Sequence, residues 1–467
     1  MKQIPRLSWC LLAATLLAAG CRGLPATGEK TARQNVATVG GQVVTNGLTL
    51  TTNATLTDCV LLAAQHHPAV IAAYADWAAA VENVTVARSR PDPKVTLDLS
   101  IVDAIKSTMS DGMSDALNTG NDAVQSVSLG LITDIPGPGK RAARAAAALA
   151  ESRARYFQFQ TAVQQAAFAV EKSFYPLYFL EAKLQVNRQT LALLANLEAL
   201  ARAQNEVGRA TLQDVLRAQI EAEQLRNETE NLEDSRQVLL AQFKAALGVP
   251  VDQPDPIVPT TVSFSATNED DEAWLALAWE RNPQLKALAA EIQAAEAGLR
   301  VARKEKWPDF TAGIAADVKA SPVIWDPQLS MTLPIWRDKL AAQIAAAQRT
   351  RQAAVARLSS AQIDLAVDFA EQTYMLREAN RELTLLLDRL LPRARQSLAV
   401  SRAAYRSGQV DFLNVMDAER TLLNFQLDEI AAQTQREIAR AELRLVVAGI
   451  SPPGAPALKT DKPQPVH

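Results

Sequence analysis

Two stretches decide the fold: VGRATLQDVLRAQIEAEQL at Val207–Leu225 and SGQVDFLNVMDAERTLLNF at Ser407–Phe425. In each, a single Gly interrupts helix-type sequence, a Thr or Asp follows three residues later, and a new apolar-periodic run begins at once. Gly208 and Gly408 suit the positive φ of a helix end, while Thr211 and Asp411 suit the N-cap of a returning helix. Both stretches predict the tip of a helical hairpin.

Outward from the tips the flanks repeat as well. Around 48–101 and 271–318 the chain reads as a short helix ending in His-Pro or Asn-Pro, a longer helix, a Pro and an alternating strand. Pro68 to Pro93 spans 25 positions, and so does Pro283 to Pro308. Pro136 and Pro334 each close a second strand, and Gly248 and Gly449 each end a return helix. One unit is therefore present twice, at 48–250 and 271–450, joined by a linker at 251–270 and followed by a tail at 451–467.

Each repeat carries two strands of period two. Val95, Leu97, Leu99 and Ile101 alternate with polar residues, as do Val127, Leu129 and Leu131; Phe310, Ala312, Ile314, Ala316 and Val318 form a third strand, and Leu329, Met331 and Leu333 a fourth. Asp103 to Asn121 and Lys319 to Pro327 read as the connecting loops. A soluble sheet with one face on a core is one reading. A membrane barrel is the other, and it is favoured because the helical sequence runs away from the strands and leaves nothing to cover them. Four strands cannot close a barrel, and an open edge in lipid leaves N–H and C=O groups unpaired at several kcal/mol each, so a barrel requires an oligomer.

The long helices are expected over about Lys140 to Val207 and Asp338 to Ser407. At 1.5 Å per residue each would reach roughly 100 Å, far beyond the helices of a compact domain. Leu383, Leu386, Leu387, Leu390 and Leu391 form an apolar stripe for a partner helix, and bends or breaks are expected near Pro176 and Pro392.

The 467 residues carry a net charge of -3 with acids and bases interspersed, which excludes the basic footprint of a nucleic-acid partner. Zinc spacings, a P-loop and a dinucleotide fingerprint are all missing, and three histidines offer no triad or metal set, so the expectation is no enzyme, no metal and no cofactor. Residues 1–20 have a charged start, an apolar stretch and small residues before Cys21, the pattern of an export signal. LLAAGC at Leu16–Cys21 resembles a bacterial lipoprotein signal, which implies lipidation of Cys21 and a lipidated linker over 21–47; an ordinary cleaved signal is the alternative.

Two tandem copies of helix, strand, strand, long helix, Gly tip and return helix, behind such a signal, resemble the TolC-like outer-membrane efflux protein family. The likeness covers about 48–450 and is closest at VGRATLQDVLRAQ and YRSGQVDFLNVMDAER. It implies a mainly α protein with a transmembrane β part: a homotrimer whose twelve strands form one β-barrel that continues into a long α-helical barrel. It also implies an outer-membrane lipid environment, a periplasmic adaptor (membrane fusion protein) docking at the tips, and an inner-membrane pump that drives export through the channel. The docking residues are then Val207, Gly208, Thr211, Ser407, Gly408 and Asp411. A gate is implied at Asn414 and Asp417, on one helix face, and at Asp214 with Tyr405; Val410 stands where the family pattern has an Arg, leaving Arg406 or Arg209 as substitutes. The rival class is a non-conducting structural lipoprotein rod, which leaves the four strands unexplained.

Overall fold

A computed structural model of the chain describes residues 28–43, 54–100, 126–250, 252, 254–256, 258, 271–318 and 320–458. The export signal, Cys21, the 103–121 loop and residues 459–467 lie outside the described residues. The N-terminal helix α1 (Glu29–Val43) precedes the first repeat: α2 (Leu56–His66), α3 (Pro68–Arg88), β1 (Lys94–Ser100), β2 (Ser126–Ile135), α4 (Lys140–Glu206) and α5 (Leu212–Leu247). The second repeat follows the same order: α6 (Asp271–Arg281), α7 (Pro283–Lys304), β3 (Asp309–Asp317), β4 (Ile324–Thr332), then α8 (Arg337–Leu385) and α9 (Leu391–Arg406) flanking a π-helical turn at Leu386–Leu390, and finally α10 (Phe412–Glu442) with a π-helical turn at Leu443–Val447.

The chain divides into two units. One holds residues up to Gln34 with Ala78–Ala154 and Ala289–Ala356, and therefore all four strands. These form an antiparallel meander in the order β1-β2-β3-β4. The register places Val95 and Leu97 opposite Leu131 and Leu129, these opposite Ile314 and Ala316, and Ile314 and Ala312 opposite Pro327 and Leu329. One face of the sheet is thus apolar from edge to edge, while Thr96, Asp98, Ser128, Asp317 and Gln328 share the other. The start of α4 is pinned to this unit by Lys140, whose buried ammonium meets Glu305 at 3.0 Å and Asp309 at 2.9 Å, while Asp309 also accepts the Gly137 N–H.

The other unit holds Asn35–Trp77, Arg155–Leu288 and Arg357–His467. Its main core joins α2, α4, α5 and α10 through Cys59, Phe174, Tyr175, Phe243, Leu247 and Leu445. Duplication shows in the joints. His67 Nδ1 accepts the Ala69 N–H at the start of α3, and Asn282 Oδ1 accepts the Gln284 and Leu285 N–H groups at the start of α7. Gly248 packs on His67-Pro68 as Gly449 packs on Asn282-Pro283.

Several sequence expectations change. Residues 29–43, read as part of a polar linker, form α1, which buries Val39 and Val43 and holds Glu29 against Arg88 at 2.6 Å. β4 begins at Ile324, so Trp325 and Pro327 belong to a strand and not to the loop; Pro327 is tolerated because β4 is an edge of the chain's own sheet. Of the two prolines expected to bend or break a helix, Pro176 does not break α4, which is continuous across it. Next to Pro392 the helix does change: the Leu391 N–H bonds the Leu386 carbonyl five residues back, a π-helical turn directly before the residue that lacks a donor. No described helix is long and apolar enough to cross a membrane.

Candidate functional site

The two tips, both in the second unit, fold by one local rule. Gly208 and Gly408 take φ +73° and +75°, and the residue after each glycine donates its N–H to the carbonyl five residues back, Arg209 to Gln204 at 2.8 Å and Gln409 to Ala404 at 2.9 Å. That is the Schellman closure, which consumes the last carbonyls of α4 and α9. At the first tip the Asn205 amide donates to the Ala210 carbonyl at 2.8 Å. Thr211 is the N-cap of α5, and the Asp214 carboxylate accepts the Thr211 N–H at 3.0 Å.

The second tip departs from expectation. Asp411 occupies the N-cap position of α10 with extended backbone, but its side chain makes no capping hydrogen bond; the Asn414 N–H bonds the Asp411 carbonyl as the Asp214 N–H bonds that of Thr211, and Asn414 stands where the first tip has the Asp214 carboxylate. Val207, Ser407, Asn414 and Asp417 are exposed, so the last two share an outward helix face.

Tyr405 is buried in the tip core with Phe412, its ring centroid 5.3 Å away, and with Val215, Leu398 and Val415. Burial raises its phenol above the ordinary value, and the charge of Asp214 adds to that. The structure brings Asp214 and Tyr405 close without joining them: the Tyr405 hydroxyl has no hydrogen-bond partner among the described residues. Among the described residues neither Arg406 nor Arg209 is joined to Asp214, whose carboxylate takes the Thr211 N–H. The tie between the hairpins is one that sequence reading missed. Arg420 on α10 holds Glu221 on α5 through two hydrogen bonds, at 3.1 and 2.6 Å. Its signal was a position: Arg420 lies three residues beyond Asp417, on the same stripe of α10. Glu419, 3 % exposed, was missed too. No group of metal-ligating side chains exists among the described residues.

The tips thus present two exposed glycine turns and a polar tie between the two repeats. Comparison with known proteins gives these features a context. A family model for outer membrane efflux proteins matches residues 60–249 and 274–449, one stretch per repeat. Among solved structures, the outer membrane protein VceC from Vibrio cholerae superposes with TM-score 0.68 at 18% identity, covering 84% of this chain and 96% of its own. The open state of the Neisseria gonorrhoeae MtrE outer membrane channel gives 0.67 at 18%, covering 84% and 88%, and the Campylobacter jejuni CmeC outer membrane channel 0.65 at 13%, covering 86% and 89%. At such identities the likeness is one of fold. A search of curated protein sequences finds no match. With both repeats matched over most of their length, the chain belongs to the outer membrane efflux protein family.

Proposed function

We propose that the protein is the outer-membrane channel of a tripartite efflux or secretion system, passing substrates from an inner-membrane pump and periplasmic adaptor to the exterior. Three copies contribute four strands each to a twelve-stranded barrel that continues into a helical barrel, anchored by lipid on Cys21. The adaptor docks at Val207, Gly208, Thr211, Ser407, Gly408 and Asp411, and the gate gathers Asp214, Tyr405, Asn414 and Asp417.

The observation that carries this reading is the sheet. Its apolar face lies open, with Val95, Leu97, Leu129, Leu131, Ile314 and Leu329 all exposed, the last at 79 %. Both edges, β1 and β4, lack a neighbouring strand among the described residues. An apolar face needs lipid or protein against it, and a free edge needs a partner strand. Copies of the same sheet, joined edge to edge inside a bilayer, meet both demands.

Cell fractionation followed by electrophoresis with and without heating tests the proposal. A heat-modifiable trimer in the outer-membrane fraction that conducts in planar bilayers is the expected result. A soluble monomer after removal of the lipid overturns it in favour of a periplasmic rod.

A further inference from the structure

Glu419 lies on α10 inside the tip, 3 % exposed, and its Oε2 has no hydrogen-bond partner among the described residues. A cavity of about 120 Å³ lies beside it, walled by Thr190 and Leu194 of α4, Leu225 of α5, and Met416 of α10. The carboxyl therefore stands where the helices of the two repeats meet.

The charged groups around it do not neutralise it. From α5, Glu221 and Glu228 border the same cavity, and Glu221 is already bound to Arg420. From α10 itself, Asp417 and Arg420 are exposed neighbours, and the α4 wall residues Thr190 and Leu194 carry no charge. From α9, Arg402 favours the ionised form electrostatically but makes no ion pair with it, and Arg406 acts on Arg402 in turn. A carboxylate shut away with an oxygen unpaired must either take a proton or reach water.

We propose that Glu419 is a proton-controlled joint between the two tip hairpins: protonated, it lets α10 pack on α4 and α5; ionised, it loosens that packing and admits water to the cavity. In the pH range where the packed carboxyl is protonated and the loosened one ionised, loosening releases one proton to solvent. Reading this as control of a gate rests on the channel function proposed above, whereas the joint itself rests on packing alone.

Burial pushes the Glu419 carboxyl up to about 7 from its ordinary 4.5, with Arg402 opposing. The packed state thus binds the proton more tightly than the loosened one. Packing is fully supported below the ordinary value, weakens tenfold per pH unit as pH rises between about 4.5 and about 7, and is flat above.

Hydrogen–deuterium exchange of the purified full-length protein, corrected for intrinsic rates, reads this directly and needs no current, so its failure is distinct from failure of the channel reading. Between pH 5 and pH 8 we expect protection of the α10 amides around Met416–Leu423 to fall about a hundredfold, and the fall to vanish in Glu419→Gln. Unchanged wild-type protection, or the same fall in Glu419→Gln, overturns the proposal. Should Glu419→Gln not fold, Arg402→Met decides: loss of the cation is expected to move the upper end of the pH transition to higher pH, and an unmoved transition overturns the proposal.

Discussion

At the scale of single residues, two glycines with almost the same backbone face opposite surroundings. Gly208 and Gly248 have φ +73° and +74°, a region that costs an L-residue roughly 1–2 kcal/mol. A Cβ on Gly208 meets nothing within 4 Å, whereas one on Gly248 stands 2.6 Å from Pro68 Cδ and 3.0 Å from the His67 backbone. We expect Gly208→Ala to cost about 1 kcal/mol and Gly248→Ala about 2–4 kcal/mol, because the second adds a clash with the first turn of α3. Thermal unfolding midpoints of the two variants compare them, and equal shifts would contradict the packed joint. Tyr405 gives the opposite sign. Its hydroxyl is buried and unpartnered, so Tyr405→Phe removes a desolvation cost without removing a hydrogen bond. A stability change between zero and about 1 kcal/mol in favour of the variant is expected from denaturant titration. A loss of similar size would mean that the hydroxyl finds Asp214 after all. The family resemblance pointed to Tyr405 and Asp214 as a pair but not to this separation, since the carboxylate's choice of the Thr211 N–H over the phenol is a matter of a rotamer and not of spacing.

At the scale of elements, alternation and spacing carried most of the information. The four strands, both tips and the 67-residue α4 were legible because periods of two and 3.6 are set by backbone geometry. What escaped was set by tertiary context. α1 is polar by composition, and tertiary contacts make it a packed helix: burial of Val39 and Val43, the Glu29–Arg88 and Arg33–Glu82 pairs, and the Tyr74 hydroxyl donating to the Val36 carbonyl. Trp325 and Pro327 look like loop residues until β3 supplies partners for them. The register now makes the two faces of the sheet separately testable. Leu131 sits on the apolar face between Val95 and Ile314, while Ser128 sits on the polar face between Asp98 and Asp317. If the apolar face meets lipid, Leu131→Arg costs about 2–4 kcal/mol and reduces the heat-modifiable trimer, while Ser128→Arg, with two acids beside it, assembles normally. Equal assembly of both variants would argue that the apolar face is covered by protein or water and not by acyl chains.

At the scale of the molecule, the two repeats are held at the tip by contacts between residues far apart in the chain, and on the channel reading proposed above their strength sets how readily the hairpins part. The apolar core around Leu194, Val215, Phe412 and Val415 is the larger contribution, but it has no preference for one arrangement of polar partners over another. Arg420 and Glu221 supply that preference, 199 positions apart and joined through two hydrogen bonds. The Arg420 side chain is more than half exposed and Glu221 about a quarter, so the pair is worth at most about 1 kcal/mol, or about fivefold in an opening equilibrium. In a reconstituted channel, Arg420→Glu is therefore expected to raise the basal current by a few fold, with recovery when Glu221→Arg is added to restore the pair with its charges exchanged. Because the pair is open to solvent, raising salt from about 0.1 M to about 1 M cuts the screening length from roughly 10 Å to roughly 3 Å and narrows the difference between wild type and variant. A basal current insensitive to substitution, salt and pH would leave the apolar core as the sole closure. A wild-type current that rises from pH 5 to pH 7 but not with salt would assign closure to the buried carboxyl at Glu419.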